Sequence, residues 1–258
     1  MEAMHVPAIS FVAMAMSAIL SIGVPIALFF VVRKRYGKGF LPVFLGIAGF
    51  FVFTVILKQT LHWLVLDTGV IVPMERPFLY MLYAAFTVGV LDETARFVSF
   101  HLLKKRRTGL GVALKYGIGH GGMEAFIIGG APMISSIALG ILLNMVGAEG
   151  LAQVYGPDVL EIAATAPSLL FLSGVESMLA LAIQISLSVI VFYAVYRSRK
   201  LWLYPLAILL RALAKCPEAL FQVGVINNIW LVRGCTAALM AAIAVFAVLL
   251  HRRMEKQA

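Results

Sequence analysis

Charge is scarce in this sequence. Only 13% of its 258 residues are Asp, Glu, Lys or Arg, 62% are hydrophobic, and the mean hydropathy is +0.99. An ordinary soluble domain is about half apolar and about a quarter charged. A soluble enzyme and a disordered tail are both excluded, because long apolar runs need lipid around them. Cysteine is equally sparse. Cys216 and Cys235 fall in or beside apolar segments without metal-ligand spacing, so they read as packing residues and exclude a disulfide scaffold. Acidic residues number 12 against 21 basic ones, a net charge of +9. The basic residues come in short clusters and form no extended patch, so nucleic acid is not an expected partner. Internal repeats, low-complexity tracts and period-2 alternation are all missing.

Apolar runs lie at about 7–32, 41–66, 78–103, 110–145, 168–196, 201–226 and 229–250. Each is long enough for a bilayer crossing of roughly 20 residues, and unpaired backbone groups cannot face lipid, so the runs are predicted to be helices. The expected fold is all-α: one polytopic membrane domain over 1–258 with about seven transmembrane helices. The clusters Arg33, Lys34, Arg35, Lys38; Lys104, Lys105, Arg106, Arg107; Arg197, Arg199, Lys200; and Arg252, Arg253, Lys256 hold 14 of the 21 basic residues. With seven spans all four fall on one side. The opposite connections hold Arg76 beside Asp67, Glu75, Glu149, Asp158 and Glu161. The N-terminus is therefore expected outside and the C-terminus in the cytoplasm, in a multi-pass protein of the plasma membrane. The first run lacks a basic leader and a small-residue cleavage site and reads as a retained span. The connection 147–167 reads as a surface helix or a lid.

Subtracting loop charges leaves Lys58, Asp92, Glu93, Arg96, Lys115, His120, Glu124, Glu176, Arg211 and Lys215 inside the runs, with Arg233 near an end. Each costs about 2.5 to 3.5 kcal/mol at a helix centre on insertion scales, so these side chains must face protein or a wet cavity. Depth groups them. Counted from the basic ends at 1.5 Å per residue, Glu93, His120 and Arg211 lie at ~15 Å, Gln184 at ~18 Å, and Glu124 and Lys215 at ~21 Å. Glu176 lies eight residues beyond Gln184 on the same face. Within each helix the spacings agree, Glu93 with Arg96 at i,i+3, and His120 with Glu124 and Arg211 with Lys215 at i,i+4.

Two chemistries fit such a layer. Four acids, Asp92, Glu93, Glu124 and Glu176, can balance Lys58, Arg96, Arg211 and Lys215 as an ion-pair network that fixes helix packing. Alternatively Glu124 or Glu93 activates water for attack on a peptide bond, with His120 as proton partner and Arg96 orienting a carboxylate. Ser135, Ser136, Ser173, Ser186 and Ser188 lack a base partner or a Gly-x-Ser-x-Gly element and read as helix–helix bonding groups. The glycines at 109, 111, 117, 119, 121 and 122 precede no Gly-Lys-Ser/Thr and read as places of close helix approach.

The order of elements resembles a known family. Asp92-Glu93-Thr94-Ala95-Arg96, then Gly119-His120-Gly121-Gly122-Met123-Glu124-Ala125, then Glu176 with Gln184, then Arg211 to Lys215 running into Cys216-Pro217-Glu218-Ala219-Leu220-Phe221-Gln222, resemble the YhfC family of intramembrane peptidases. That family is similar to the CAAX-protease and bacteriocin-processing group and to PrsW. The resemblance implies a glutamate-type or metal-assisted endopeptidase with Glu93, Arg96 and Glu124 on its acid–base side. It also implies histidine at the positions of Gln184 and Arg211 and Asp at that of Lys215, and this sequence departs from all three.

A zinc site needs three protein ligands and an open position, and cations at Arg211 and Lys215 would repel the ion. No metal or other cofactor is therefore expected. The resulting expectation is an intramembrane endopeptidase-like protein with a partly degenerate site. Its catalytic candidates are Glu93, Arg96, His120 and Glu124, and Glu176, Gln184, Arg211 and Lys215 line the cavity. Its partners are membrane lipid and a transmembrane or membrane-proximal peptide substrate. The rivals are a non-catalytic pseudopeptidase that holds a transmembrane partner, and a proton-coupled transporter built on the same charged layer.

Overall fold

Prolines and glycines punctuate the chain where the apolar runs begin and end. The computed structural model describes residues 5–105, 107–197 and 199–256, with only the backbone of Pro157 and Asp158. Arg106 of the second basic cluster and the Asp158 carboxylate lie outside the described residues. Helix α1 (Ala8–Tyr36) ends in Arg33, Lys34 and Arg35, and the chain turns at Gly37 with φ 88°. Helix α2 (Leu41–Asp67) opens with Pro42, whose missing N–H costs nothing in a first turn. Helix α3 (Pro77–Lys104) begins at a proline for the same reason. Helix α4 (Leu110–Tyr155) is broken at Gly147, φ 81°, and stopped by Gly156. A short 3-10 turn (Pro157–Leu160) leads into α5 (Glu161–Ala164) and then α6 (Pro167–Tyr196). Helices α7 (Leu203–Gln222) and α8 (Ile229–Glu255) follow. Asn228 caps α8 by accepting from the backbone N–H groups of Trp230 and Leu231 at 3.0 and 3.2 Å.

Among the described residues all regular structure is helical, and five helices, α1, α2, α4, α6 and α8, are long and apolar enough to cross a membrane. The remaining long helices, α3 and α7, carry Asp92, Glu93, Arg96, Arg211 and Lys215. Burial varies widely. Of its apolar window α6 buries 72% and α8 only 17%, so the surface of α8 depends on lipid for cover. Where 147–167 was expected to form a surface helix or lid, α4 resumes beyond Gly147 for two turns and α5 adds one more.

The chain divides into two compact units. One comprises Met1–Leu28 and Gly122–Leu181. Its core gathers Val6, Met14, Leu143, Leu151 and Leu170. Polar groups tie its helices: Asn144 Oδ1 accepts from the Val6 N–H at 2.8 Å, and Asn144 Nδ2 donates to the Val6 carbonyl at 3.0 Å. Ser17 Oγ accepts from the Gly174 N–H at 3.1 Å, and a Cβ at Gly174 would stand 2.6 Å from Ser17 Cα. Without a side chain at 174 the backbones meet closely enough for that bond.

The other unit comprises Phe29–Gly121 and Ala182–Ala258. Phe100, Leu103, Tyr116, Ile183, Leu187, Ile190 and Leu203 form its core. Helix α3 packs along α7, which also packs on α8. Glycines set the separations. A Cβ at Gly46 would collide with the Tyr116 carbonyl, one at Gly119 with the Val43 carbonyl, and one at Gly89 would lie 2.6 Å from the Ile208 carbonyl. Thus α2 meets α4, and α3 meets α7, at backbone distance, and short polar side chains reach across.

Candidate functional site

The close-packed helices of the second unit bring a buried polar layer together. Asp92, Glu93 and Arg96 on α3 are 1%, 0% and 0% exposed. Each must be satisfied by a neighbour, because an uncompensated charge in such surroundings costs several kcal/mol. Arg211 of α7 donates from Nε to Asp92 Oδ2 at 3.0 Å. Thr54 Oγ1, in a π-helical stretch of α2 (Phe50–Leu57), donates to Asp92 Oδ1 at 2.8 Å. Insertions of this kind re-aim a helix face, and functional sites often use them. Both oxygens of Asp92 are thereby engaged.

Glu93 Oε1 accepts from Arg96 Nη1 one turn on. Arg96 Nε also donates to Ser188 Oγ at 3.1 Å, and Ser188 donates to the Gln184 carbonyl at 2.7 Å. This contact reaches α6 because Gly117 lacks a side chain: a Cβ there would lie 2.6 Å from Ile185 Cα and 3.1 Å from Ser188 Oγ. Glu93 Oε2 and Arg96 Nη2 have no hydrogen-bond partner among the described residues. Two carboxylates and two guanidiniums interlock in this layer.

His120 on α4 is fully buried. Its Nε2 stands 3.9 Å from Asp92 Oδ1, beyond hydrogen-bonding range, and neither ring nitrogen has a hydrogen-bond partner among the described residues. The ring lies edge-on to Phe50 at 5.5 Å and stacks with Tyr116 at 6.0 Å. Apolar walls hold it, and its polar atoms face the acid–arginine layer at a distance.

The other sequence-derived candidates are spread more widely. Gln184 is fully buried and offers its carbonyl to Ser188. Lys215 pairs with Glu218 at 2.8 Å, and that partner's side chain is half exposed. Glu124 and Glu176 belong to the first unit, Glu124 buried and Glu176 partly so. Lys115 donates to the carbonyls of Tyr36 and Gly37. His62 Nδ1 lies 2.9 Å from the Tyr83 hydroxyl. Asp92, read from the sequence as an acid of an ion-pair network, and Ser188, read as a helix–helix bonding group, both join the layer; Thr54 escapes the sequence reading. A lone Thr in an apolar run gives no signal of such a role.

Five helices long and apolar enough to cross a membrane define a multi-pass membrane protein, and its buried ion pairs lie on α3 and α7. The chain belongs to the YhfC intramembrane metalloprotease family, whose model matches residues 20–236. It is similar to uncharacterized membrane protein YhfC of Bacillus subtilis (strain 168), with 32% identity over 249 residues, 93% of this chain and 96% of that one. No solved structure matches it.

The family's description implies a metal, and the residues present do not fit one. A catalytic zinc takes three protein ligands and an open position. Among the described residues no three His, Cys, Asp or Glu side chains converge. In the polar layer His120 stands 3.9 Å from Asp92, and Asp92 already holds Thr54 and a guanidinium on its two oxygens. A cation at that place would meet the charge of Arg211 at contact range.

Proposed function

We propose that this protein is a non-hydrolysing member of its family, a pseudopeptidase that binds a transmembrane or membrane-proximal peptide segment. The observation that carries the reading is the Arg211–Asp92 contact. Arg211 stands where the family resemblance implies a histidine, and it occupies a carboxylate rather than leaving that group to a metal or a water. Asp92, Glu93, Arg96 and Arg211 act as an ion-paired plug, with Gln184 and His120 at its margin. In this reading the chain crosses the plasma membrane seven times, N-terminus outside and C-terminus cytoplasmic. Its four basic clusters support that orientation.

The test is reconstitution into liposomes with a fluorogenic peptide bearing a transmembrane segment. Binding without cleavage, unchanged by Glu93→Gln, supports the proposal. Zinc-dependent cleavage by the unaltered chain would defeat it.

A second reading draws on His120, whose unpartnered ring nitrogens are unusual for a buried histidine. It holds the chain to be a metal-free peptidase in which Glu93 activates water, Arg96 orients its carboxylate and His120 is the proton partner. Chelator-insensitive cleavage that disappears in both Glu93→Gln and His120→Phe selects this reading over the first.

A further inference from the structure

The basic ends of α1 and α3 and the starts of α2 and α4 line a polar cavity, all within one unit. Its volume is about 140 Å³, room for a group several times larger than a water molecule. Tyr36, Gly39, Arg107, Thr108, Gly111 and Lys115 line it, and among the described residues no acid does.

Lys115 is only 5% exposed. Its ammonium donates to the Gly37 carbonyl at 2.6 Å and the Tyr36 carbonyl at 3.3 Å, which leaves a third N–H direction unused. Carbonyls answer its hydrogen bonds without cancelling its charge. Arg107 and Arg33 add their fields to the same place. The Arg107 guanidinium fits over Gly39, where any Cβ would collide with Nη1. Arg107 makes no side-chain hydrogen bond or ion pair among the described residues. A nearly buried lysine beside an arginine fork concentrates positive charge in a cavity that, among the described residues, no acid lines.

We propose that this cavity binds a phosphate-bearing anion, either a phospholipid headgroup or free inorganic phosphate. A tetrahedral anion suits the donors present: the planar fork of Arg107, the point charge of Lys115 and the hydroxyl of Thr108. Basic recesses between helix ends are where anionic headgroups dock. The inference is independent of whether the protein hydrolyses peptides.

The experiment uses the full chain, delipidated in detergent, with phosphatidylglycerol, phosphatidylcholine or inorganic phosphate as probe. Thermal unfolding and native mass spectrometry are the readouts. At a hundredfold excess over Kd, phosphatidylglycerol should raise the midpoint by roughly 5 to 10 °C and be retained one per chain, while phosphatidylcholine does neither. Both effects should vanish in Arg107→Gln, at an exposed position, and in Lys115→Gln where that variant folds. The control Arg252→Gln/Arg253→Gln, at the end of α8, should keep them. A shift with inorganic phosphate alone supports the site and identifies the free anion as its source. No shift with either phosphate probe, or equal loss in the α8 control, would overturn the proposal in favour of diffuse surface attraction.

Discussion

Arg211 on α7 and Asp92 on α3 form an ion pair across 3.0 Å, inside a region where neither side chain is more than 10% exposed. Removing one member leaves the other charge uncompensated. Arg211→Met should therefore destabilise the protein by about 3 to 5 kcal/mol. Asp92→Leu/Arg211→Met, which removes both charges and keeps apolar volume, should recover most of that loss. Denaturant unfolding in bicelles measures both, and equal losses in the single and double variants would show that the pair is not coupled.

Thr54 supplies the hydroxyl on the other Asp92 oxygen at 2.8 Å. A hydrogen bond to a charged acceptor contributes about 1.5 to 3 kcal/mol, so Thr54→Val should cost that amount. In the Asp92→Leu background the same substitution should cost little. The difference is the coupling energy, expected at about 0.5 to 3 kcal/mol for groups in one network; a value near zero would remove Thr54 from the site.

Gly46 lies against the backbone of Tyr116 and His120, where an added Cβ has nowhere to go. Gly46→Ala should push α2 from α4, disturb the placement of Thr54 and lower the yield of folded protein. Gly234, on α8, has nothing within 4 Å of an added Cβ. Gly234→Ala should be neutral, or stabilising by up to about 1 kcal/mol through helix propensity. Size-exclusion profiles and melting curves of the two variants should diverge; similar behaviour would mean the α2–α4 contact yields easily.

Metal content offers a direct check on the donor set. The protein should carry substoichiometric zinc after purification, and a chelator should leave its melting temperature unchanged. Gln184→His/Arg211→His/Lys215→Asp restores the residue types that the family resemblance implies and removes the cations that repel a metal. It should gain zinc, read by elemental mass spectrometry. Zinc bound one to one by the unaltered chain would contradict the donor-set argument.

Much of the helical layout was legible because lipid imposes it. The apolar runs at 41–66, 78–103 and 168–196 lie within a residue or two of Leu41–Asp67, Pro77–Lys104 and Pro167–Tyr196, since length and hydropathy mark where a helix can leave the membrane. The end of α4 was harder to place, because glycine at 147 interrupts the helix without ending it. In the polar layer, counting depth along each helix brings Glu93, His120 and Arg211 to a common level. It does not give rotation about the helix axis or the partner on another helix. For that reason Lys215 was grouped with the layer although its carboxylate partner is Glu218, one turn along α7. Asp92, read as an acid of the ion-pair network but not as a catalytic or cavity-lining residue, holds Arg211 and Thr54. Lys115, counted among the charges inside the runs, is held by two backbone carbonyls; its sequence neighbours say nothing about the turn at Gly37.

Ser188 has a single proton, which it gives to the Gln184 carbonyl while its oxygen receives the Nε–H of Arg96. A guanidinium does not deprotonate in proteins, and an amide carbonyl is no proton acceptor at neutral pH. Between them the hydroxyl has no free proton to pass on and no donor able to refill it. The bridge from α3 to α6 is thus a dead end for charge movement: it can hold two helices in register, but it cannot serve as a stretch of proton wire.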